Sequence, residues 1–164
     1  MRDFKIEINI RSFRYEELDE LDRELVDAAK EATHRSYAPY SHFSVGAAVR
    51  LADGTIVTGS NQENAAYPSG TCAERTALFY ANARHPDLPV HTMAVAARDA
   101  SGFLTSPIPP CGACRQVLLE TENRYHHPMR IILFGTEESY LLDGTSSLLP
   151  LSFGMKHLKG NGGE

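Results

Sequence analysis

Three cysteines in two short motifs constrain the fold of this chain more than any other feature of its sequence. Cys72 lies in the segment TCAERTA, and Cys111 and Cys114 lie in PPCGACRQ. An odd number of cysteines argues against a framework of disulfides, and their placement in motifs indicates a metal site or redox chemistry. If one ion binds all three thiolates, the fold has to bring two distant segments together.

The residues around both motifs are typical of helices. Residues 72–83 are good helix formers without Gly or Pro, and Pro109-Pro110 precedes a second predicted helix over residues 112–123. Cys111 and Cys114, three residues apart, share one face on a first helical turn. Cys72 comes from the start of the other helix, and thiolates at helix N-termini are stabilised by the positive end of the dipole.

The remaining pattern alternates helices with strands. Apolar residues at steps of three and four predict a helix from residue 15 to about 35, and Asp53-Gly54 joins the predicted hairpin strands Ser44–Leu51 and 55–60. Further strands are predicted at 91–98, 129–134 and, more weakly, 139–142. We therefore expect a three-layer α/β/α sandwich with a mixed, roughly five-stranded sheet, its hairpin antiparallel and its later strand–helix–strand unit parallel and right-handed.

Length and charge bound the class of protein. The 164 residues predict a single domain over 1–164, with an N-terminal extension of unknown role at 1–14 and a frayed tail at 155–164. The net charge of -5 disfavours a nucleic-acid polymer as partner. No run approaches the ~20 apolar residues of a membrane span, and the first residues lack an apolar signal core, so we expect a cytoplasmic protein without membrane contact.

The cysteines leave several kinds of site open. Thioredoxin-like chemistry needs only the Cys111/Cys114 pair and leaves Cys72 and Glu74 unexplained. A structural zinc site closes with four protein ligands, and none of the seven histidines has a spacing that marks it as the fourth. Three protein ligands and one open position are typical of catalytic zinc.

Glu74 and two arginines adjoin these cysteines. Glu74 is either a capping residue of its helix or a proton shuttle, and a Cys-x-Glu segment followed by Pro-Cys-x-x-Cys is the layout of zinc deaminases. Three thiolates leave a zinc centre with one net negative charge, which weakens its ability to acidify water. Arg75 or Arg115 can offset that charge, and the alternative for both is a surface salt bridge.

With these motifs combined, the chain resembles the small homotetrameric cytidine deaminases that use three cysteines for zinc. The likeness runs from about residue 36 to 154 in the segments SYAPYSHFSVGAAV, NQENAAYPSGTCAERTAL, PCGACRQ and LLPLSFG. It implies a cytidine deaminase-like fold with Zn²⁺ on Cys72, Cys111 and Cys114, and it makes Glu74 the catalytic residue.

The resemblance also implies substrate contacts. Asn61 and Glu63 correspond to the family's N-x-E pair that holds the ribose hydroxyls; without the motif they would be a polar turn. Phe43 corresponds to a residue that lines the base pocket; without the motif it would be predicted to pack in the core. The backbone near Ala73 contacts the exocyclic amine. Phe153 corresponds to a residue that stacks on the base in a neighbouring subunit's pocket. The alternative for Phe153 is an apolar residue that anchors the C-terminal segment.

The expected function is hydrolytic deamination of cytidine and deoxycytidine to uridine and deoxyuridine, with release of ammonia, in pyrimidine salvage. It requires no organic cofactor, and the resemblance implies a homotetramer whose sites are completed by neighbouring subunits. Two alternatives stay open: an aminonucleoside-antibiotic deaminase of the blasticidin S type, and a non-catalytic zinc-stabilised binding module. A polynucleotide deaminase is disfavoured because the acidic chain has no tryptophan and no basic-aromatic stripe.

Overall fold

The computed structural model describes residues 1–158, which form one mixed sheet with helices on both faces. Within this part of the chain the strands are β1 (Arg11–Phe13), β2 (Ser44–Leu51), β3 (Ile56–Ser60), β4 (Val90–Asp99), β5 (Gly102–Phe103), β6 (Arg130–Leu133) and β7 (Ser139–Asp143). The helices are α1 (Glu20–Ala32), α2 (Ala73–Arg84), α3 (Gly112–Tyr125) and the short α4 (Met155–Leu158). Single 3₁₀ turns occur at Tyr15–Glu17, Thr33–Arg35, Tyr67–Ser69 and Thr145–Ser147.

The strand order is β1-β7-β6-β4-β2-β3, with β5 paired to one end of β4. The β2–β3 hairpin is antiparallel, and β4 pairs with β6 in parallel across the α3 crossover. Both pairings confirm the expectations from sequence. Because β4 and β6 run the same way, the chain leaves the carboxyl end of β4 through a loop that leads into α3 and the second cysteine motif.

Alternation along the central strands divides the core into two layers. Ala47, Val49 and Met93 face the side covered by α2 and α3, and Ala48 and Ala94 face α1. The same alternation continues in β6, so both faces of the sheet are buried. This is the predicted three-layer sandwich, and it needs the continuous apolar runs that the strands show.

Two glycines allow helices to lie unusually close to the sheet. A Cβ built on Gly59 of β3 would lie 2.4 Å from the backbone nitrogen of Ala77 in α2. A Cβ on Gly46 of β2 would lie 2.1 Å from the carbonyl oxygen of Ala29 in α1. The absence of a side chain at these positions therefore sets the distance of both helices from the sheet.

The structure adds detail that the sequence pattern missed. The described residues form seven strands rather than about five, because β1 and β5 have only three and two residues, too few to show a period. The first helix is shorter than predicted: Asp19 caps α1 by accepting from the backbone N–H of Asp22 at 2.8 Å.

The chain ends also gain definition. Part of the extension forms β1 against β7. Of the tail predicted to fray at 155–164, Met155–Leu158 form α4, and residues 159–164 lie outside the described residues. Among the helices of residues 1–158, none combines the length and apolar character needed to cross a bilayer.

Candidate active site

The three cysteines converge where the N-termini of α2 and α3 meet. Cys72 is the N-cap residue of α2, Cys111 is the N-cap residue of α3, and Cys114 lies in the first turn of α3. Their sulfurs all lie within 4.8 Å of one another. Both N-cap residues have extended backbones, which turns their side chains away from the helix axis and towards each other.

The sulfur positions suit a tetrahedral zinc ion. The Cys72 and Cys111 sulfurs are 3.7 Å apart, and those of Cys111 and Cys114 are 3.4 Å apart. Two thiolates bound to one zinc at about 2.3 Å lie roughly 3.8 Å apart in tetrahedral geometry. The three donors are therefore arranged to bind the ion with little rearrangement. Cys114 is buried, Cys72 is partly buried and Cys111 is exposed, so one side of the cluster faces solvent.

The surroundings favour the thiolate that metal binding requires. The hydrogen bond from the Cys114 thiol and the nearby Arg75 guanidinium lower the pKa of Cys72 to about 5, against the effect of burial. An Arg75 terminal nitrogen lies 3.8 Å from the Cys72 sulfur. The pKa of Cys114 is raised by its bond to Cys72 and by burial, since one negative charge is shared between them. Arg75 thus has the position expected of a residue that offsets thiolate charge.

Glu74 is a buried acid beside this cluster. Its side chain is 4% exposed, and burial raises the pKa of its carboxyl group above the usual value. It lines the same cavity as Cys72 and Cys111. A carboxyl group with a raised pKa beside three metal-ligating thiols is suited to accepting and returning a proton.

The cavity in front of the cluster has a volume of about 540 Å³, enough for a small organic ligand. Asn61 and Glu63 both line it, as expected for residues two apart on an extended segment. The structure adds lining residues that had no predicted role: Tyr40, Tyr67 and Pro109, which lie within the quoted motif segments, and Ile108. The rings of Tyr40 and Tyr67 pack edge to face at 6.3 Å. Only the fold joins their two loops, so no local signal identified the pair.

Asn61 and Glu63 are held in different ways. The Asn61 amide oxygen accepts from the Ser36 hydroxyl at 2.6 Å and the Val45 backbone N–H at 2.8 Å, and its nitrogen donates to the Phe43 carbonyl at 2.9 Å. One amide hydrogen is left for a ligand. One Glu63 carboxylate oxygen accepts the backbone N–H of Tyr40 at 2.9 Å.

The Ser41 hydroxyl and the Tyr40 N–H keep the pKa of Glu63 below its usual value. Glu63 is therefore an oriented anion, whereas Asn61 also supports the loop that carries Phe43 and Val45.

Three of the predicted substrate contacts do not line this cavity. Phe43 is half-buried outside the lining, and Ala73 is fully buried at the first position of α2. Phe153 is 59% exposed and stacks on His157 with ring centroids 5.5 Å apart. Its carbonyl accepts from the Gln116 side chain at 2.9 Å, which holds it on the outer side of α3.

Arg115 has a structural position. It donates to the Pro110 carbonyl and to the Leu148 carbonyl, both at 2.8 Å. The side chain therefore ties the cysteine loop to the C-terminal segment, rather than forming the surface salt bridge considered above.

Comparison with known proteins gives a consistent result. The family model described as the cytidine and deoxycytidylate deaminase zinc-binding region matches residues 19–126. The chain is 44% identical to a cytidine deaminase of Halalkalibacterium halodurans over 103 residues, 61% of this chain and 72% of the relative. It is 38% identical to one of Mycobacterium tuberculosis over 133 residues, 79% of this chain and 87% of the relative. A crystal structure of the Burkholderia pseudomallei cytidine deaminase superposes with a TM-score of 0.68 at 39% identity, covering 79% of this chain and 97% of that one.

Proposed function

The chain belongs to the cytidine and deoxycytidylate deaminase family, and from that premise we propose that Cys72, Cys111 and Cys114 hold its zinc while Glu74 moves the protons. The enzyme is a zinc-dependent deaminase of cytidine. The observation that carries the residue assignment is the convergence of three sulfurs within 4.8 Å on the wall of a cavity that also contains a buried carboxyl group.

Zinc on these thiolates supplies an activated water for attack on C4 of the pyrimidine. The steps that belong to the chain are proton transfers by Glu74. The carboxylate takes a proton from the attacking water and delivers it to N3, which makes C4 electrophilic. It then carries the hydroxyl proton to the exocyclic amine, which leaves as ammonia. Burial suits this role because it raises the pKa of the carboxyl group towards that of the attacking water.

Asn61 and Glu63 bind the sugar in this proposal. Glu63 has one oxygen fixed by the Tyr40 N–H, which leaves its other oxygen to accept from a ribose hydroxyl. Asn61 offers its remaining amide hydrogen to the same group. Deoxycytidine, with one hydroxyl fewer, is a second substrate, and the difference between the two nucleosides falls on these residues. The backbone at Ala73 holds the exocyclic amine, and Phe43 supports the base side of the pocket.

We also propose that the working unit is a homotetramer with dihedral symmetry. Leu151 and Phe153 are exposed, and Phe153 lies beside α3. Packing both against a neighbour removes an apolar surface from water while placing Phe153 over that neighbour's base. Leu148, which begins the same LLPLSFG segment, is buried in the core of its own chain and does not take part in this contact. Three free thiols that must stay reduced favour a cytoplasmic location.

The test combines turnover with metal analysis. Purified protein should convert cytidine to uridine, followed by the change in absorbance, and should contain one zinc per chain. Glu74→Gln should keep the zinc and lower kcat by about 10²–10⁴, the usual loss for a general acid–base group. Blasticidin S should be tested as a second substrate, because its turnover would indicate the aminonucleoside-antibiotic deaminase instead. A Glu74→Gln variant with wild-type turnover would contradict the assignment, and so would active protein without zinc.

A further inference from the structure

The first ten residues of the chain carry a strand pattern that the structure leaves without a partner. Residues 4–10, here called the arm, alternate between apolar and polar side chains, and they belong to no helix or strand of the described chain. The apolar members are exposed, Phe4 by 80%, Ile6 by 44%, and Ile8 and Ile10 by 48% each. Strict alternation is the pattern of a half-buried strand. The arm therefore has one apolar face that is exposed to solvent and would be stabilised by burial.

The arm continues an edge strand of the sheet. β1 is the terminal strand and pairs with β7, with Arg11 opposite Leu141. The side chains of Arg11, the first residue of β1, and Asp143 form an ion pair at 2.7 Å. The pairing with β7 stops at Arg11, although a continued antiparallel strand would set Ile10 and Asn9 opposite Leu142 and Asp143, the last residues of β7. Residues before Asn9 would have no β7 residue opposite them, so their backbone groups are not used by this sheet, and an unpaired strand is a template for another strand.

The direction of the apolar face follows from β1. Phe13 packs against the core layer on the α1 side. Side chains alternate along a strand, so Ile10 and the even-numbered residues before it belong to the opposite, α2–α3 side. The exposed Phe153, whose carbonyl accepts from Gln116 of α3, lies on that side as well. The apolar face of an arm that continues β1 is therefore on the same side of the sheet as the residue proposed above for subunit contact.

We propose that the arm pairs with the same arm of a second copy of this chain, as two antiparallel strands related by a two-fold axis at Ile6. In this register Phe4 lies opposite Ile8, and Lys5 lies opposite Glu7 in both halves of the pair. Opposite charges in cross-strand positions stabilise a sheet, and apolar residues gather on one face. The contact is isologous, so it closes after two copies.

The neighbouring registers of the two arms are less stable. A slip by one residue sets apolar residues opposite polar ones along the whole arm. A shift by two residues in one direction sets Glu7 opposite its own copy, and a shift by two in the other direction sets Asp3 opposite Glu7. Both shifts create like-charge contacts, which destabilise a strand pair. The sequence of the arm therefore selects the register centred on Ile6.

The first experiment is disulfide trapping in the full-length, zinc-loaded protein. Ile6→Cys puts a thiol opposite its own copy across the two-fold axis, where opposite Cβ atoms are close enough for a disulfide. Mild oxidation should convert most of this variant to a covalent dimer on a non-reducing gel. Lys5→Cys is the control at the neighbouring position: its side chain is more exposed than that of Ile6, 82% against 44%, but it faces Glu7, so it should cross-link no more than wild type. Equal cross-linking of the two variants, or none in Ile6→Cys, would overturn the proposal.

A charge reversal tests the register independently. In the Ile6→Cys background, Lys5→Glu sets like charges opposite each other and should reduce the dimer yield. Adding Glu7→Lys restores opposite charges and should restore the yield. A double reversal that fails to recover cross-linking would refute this register. Cytidine turnover and zinc content measured on the unoxidised samples report on the proposed activity, and the cross-linking yield reports on the arm contact, so failure of the one is distinguishable from failure of the other.

Discussion

The close approach of β3 to α2 yields a prediction that links packing to catalysis. Gly59→Ala adds a Cβ that would lie 2.4 Å from the backbone nitrogen of Ala77 and 2.8 Å from the carbonyl oxygen of Ala73. Ordinary contact begins at 3.4 Å, so the clash with the nitrogen is 1.0 Å deep, and both partners are backbone atoms that cannot rotate away. The helix has to move, and it carries Cys72 and Glu74.

We expect two effects of this single methyl group. Overpacking of a core typically lowers the free energy of unfolding by about 1–3 kcal/mol, and at about 2–4 °C per kcal/mol the Tm should fall measurably. Displacement of catalytic groups by about 1 Å can cost roughly 10²-fold in rate. We therefore expect kcat/KM for cytidine to fall by about that factor in protein that remains folded at the assay temperature.

Gly46→Ala is the matched control. Its Cβ would lie 2.1 Å from the carbonyl oxygen of Ala29, so it clashes as severely, but with α1 on the opposite face of the sheet. Thermal unfolding and cytidine kinetics of both variants separate lost stability from a displaced site. Gly46→Ala should lower the Tm comparably and leave kcat/KM much closer to wild type. If both variants lose the same activity, the contact between Gly59 and Ala77 does not set the position of the site.

Three further predictions concern the metal, the sugar and the C-terminal segment. Chelation of zinc should abolish turnover and lower the Tm, because the ion binds folded α2 and α3 together; an unchanged Tm after verified metal loss would contradict this. Asn61→Ala and Glu63→Ala should each reduce kcat/KM for cytidine more than for free cytosine, and Asn61→Ala alone should also lower the Tm, since three internal hydrogen bonds at roughly 1 kcal/mol each are lost; equal losses on both substrates would indicate a purely structural role. Phe153→Ala should lower kcat/KM, because the proposed tetramer places this ring over a neighbour's base, and sedimentation should give a tetramer for the wild type; a fully active wild-type monomer would rule out shared sites.

The chemistry of this protein was largely readable in the linear sequence. Cys72, Cys111, Cys114 and Glu74 lie in two motifs whose internal spacing is fixed by helix geometry, so short-range rules predict which side chains share a helix end. The alternation of helices and strands likewise predicts the three-layer sandwich, because each element has to bury one face. The matching family model and relatives support the same function.

Tertiary structure decided what depends on distant segments. The rings of Tyr40 and Tyr67, from two different loops of the cavity, pack against each other. The Arg115 side chain links the cysteine loop to Leu148, and most hydrogen bonds of the Asn61 side chain are made within its own chain. None of these contacts follows a local period, because each joins loops whose separation is set by the sheet. The strand β1 is too short to predict alone and exists because β7 offers it an edge. Sequence thus determined the layers and predicted the proposed zinc ligands and acid, and packing decided how the cavity around them is lined and held.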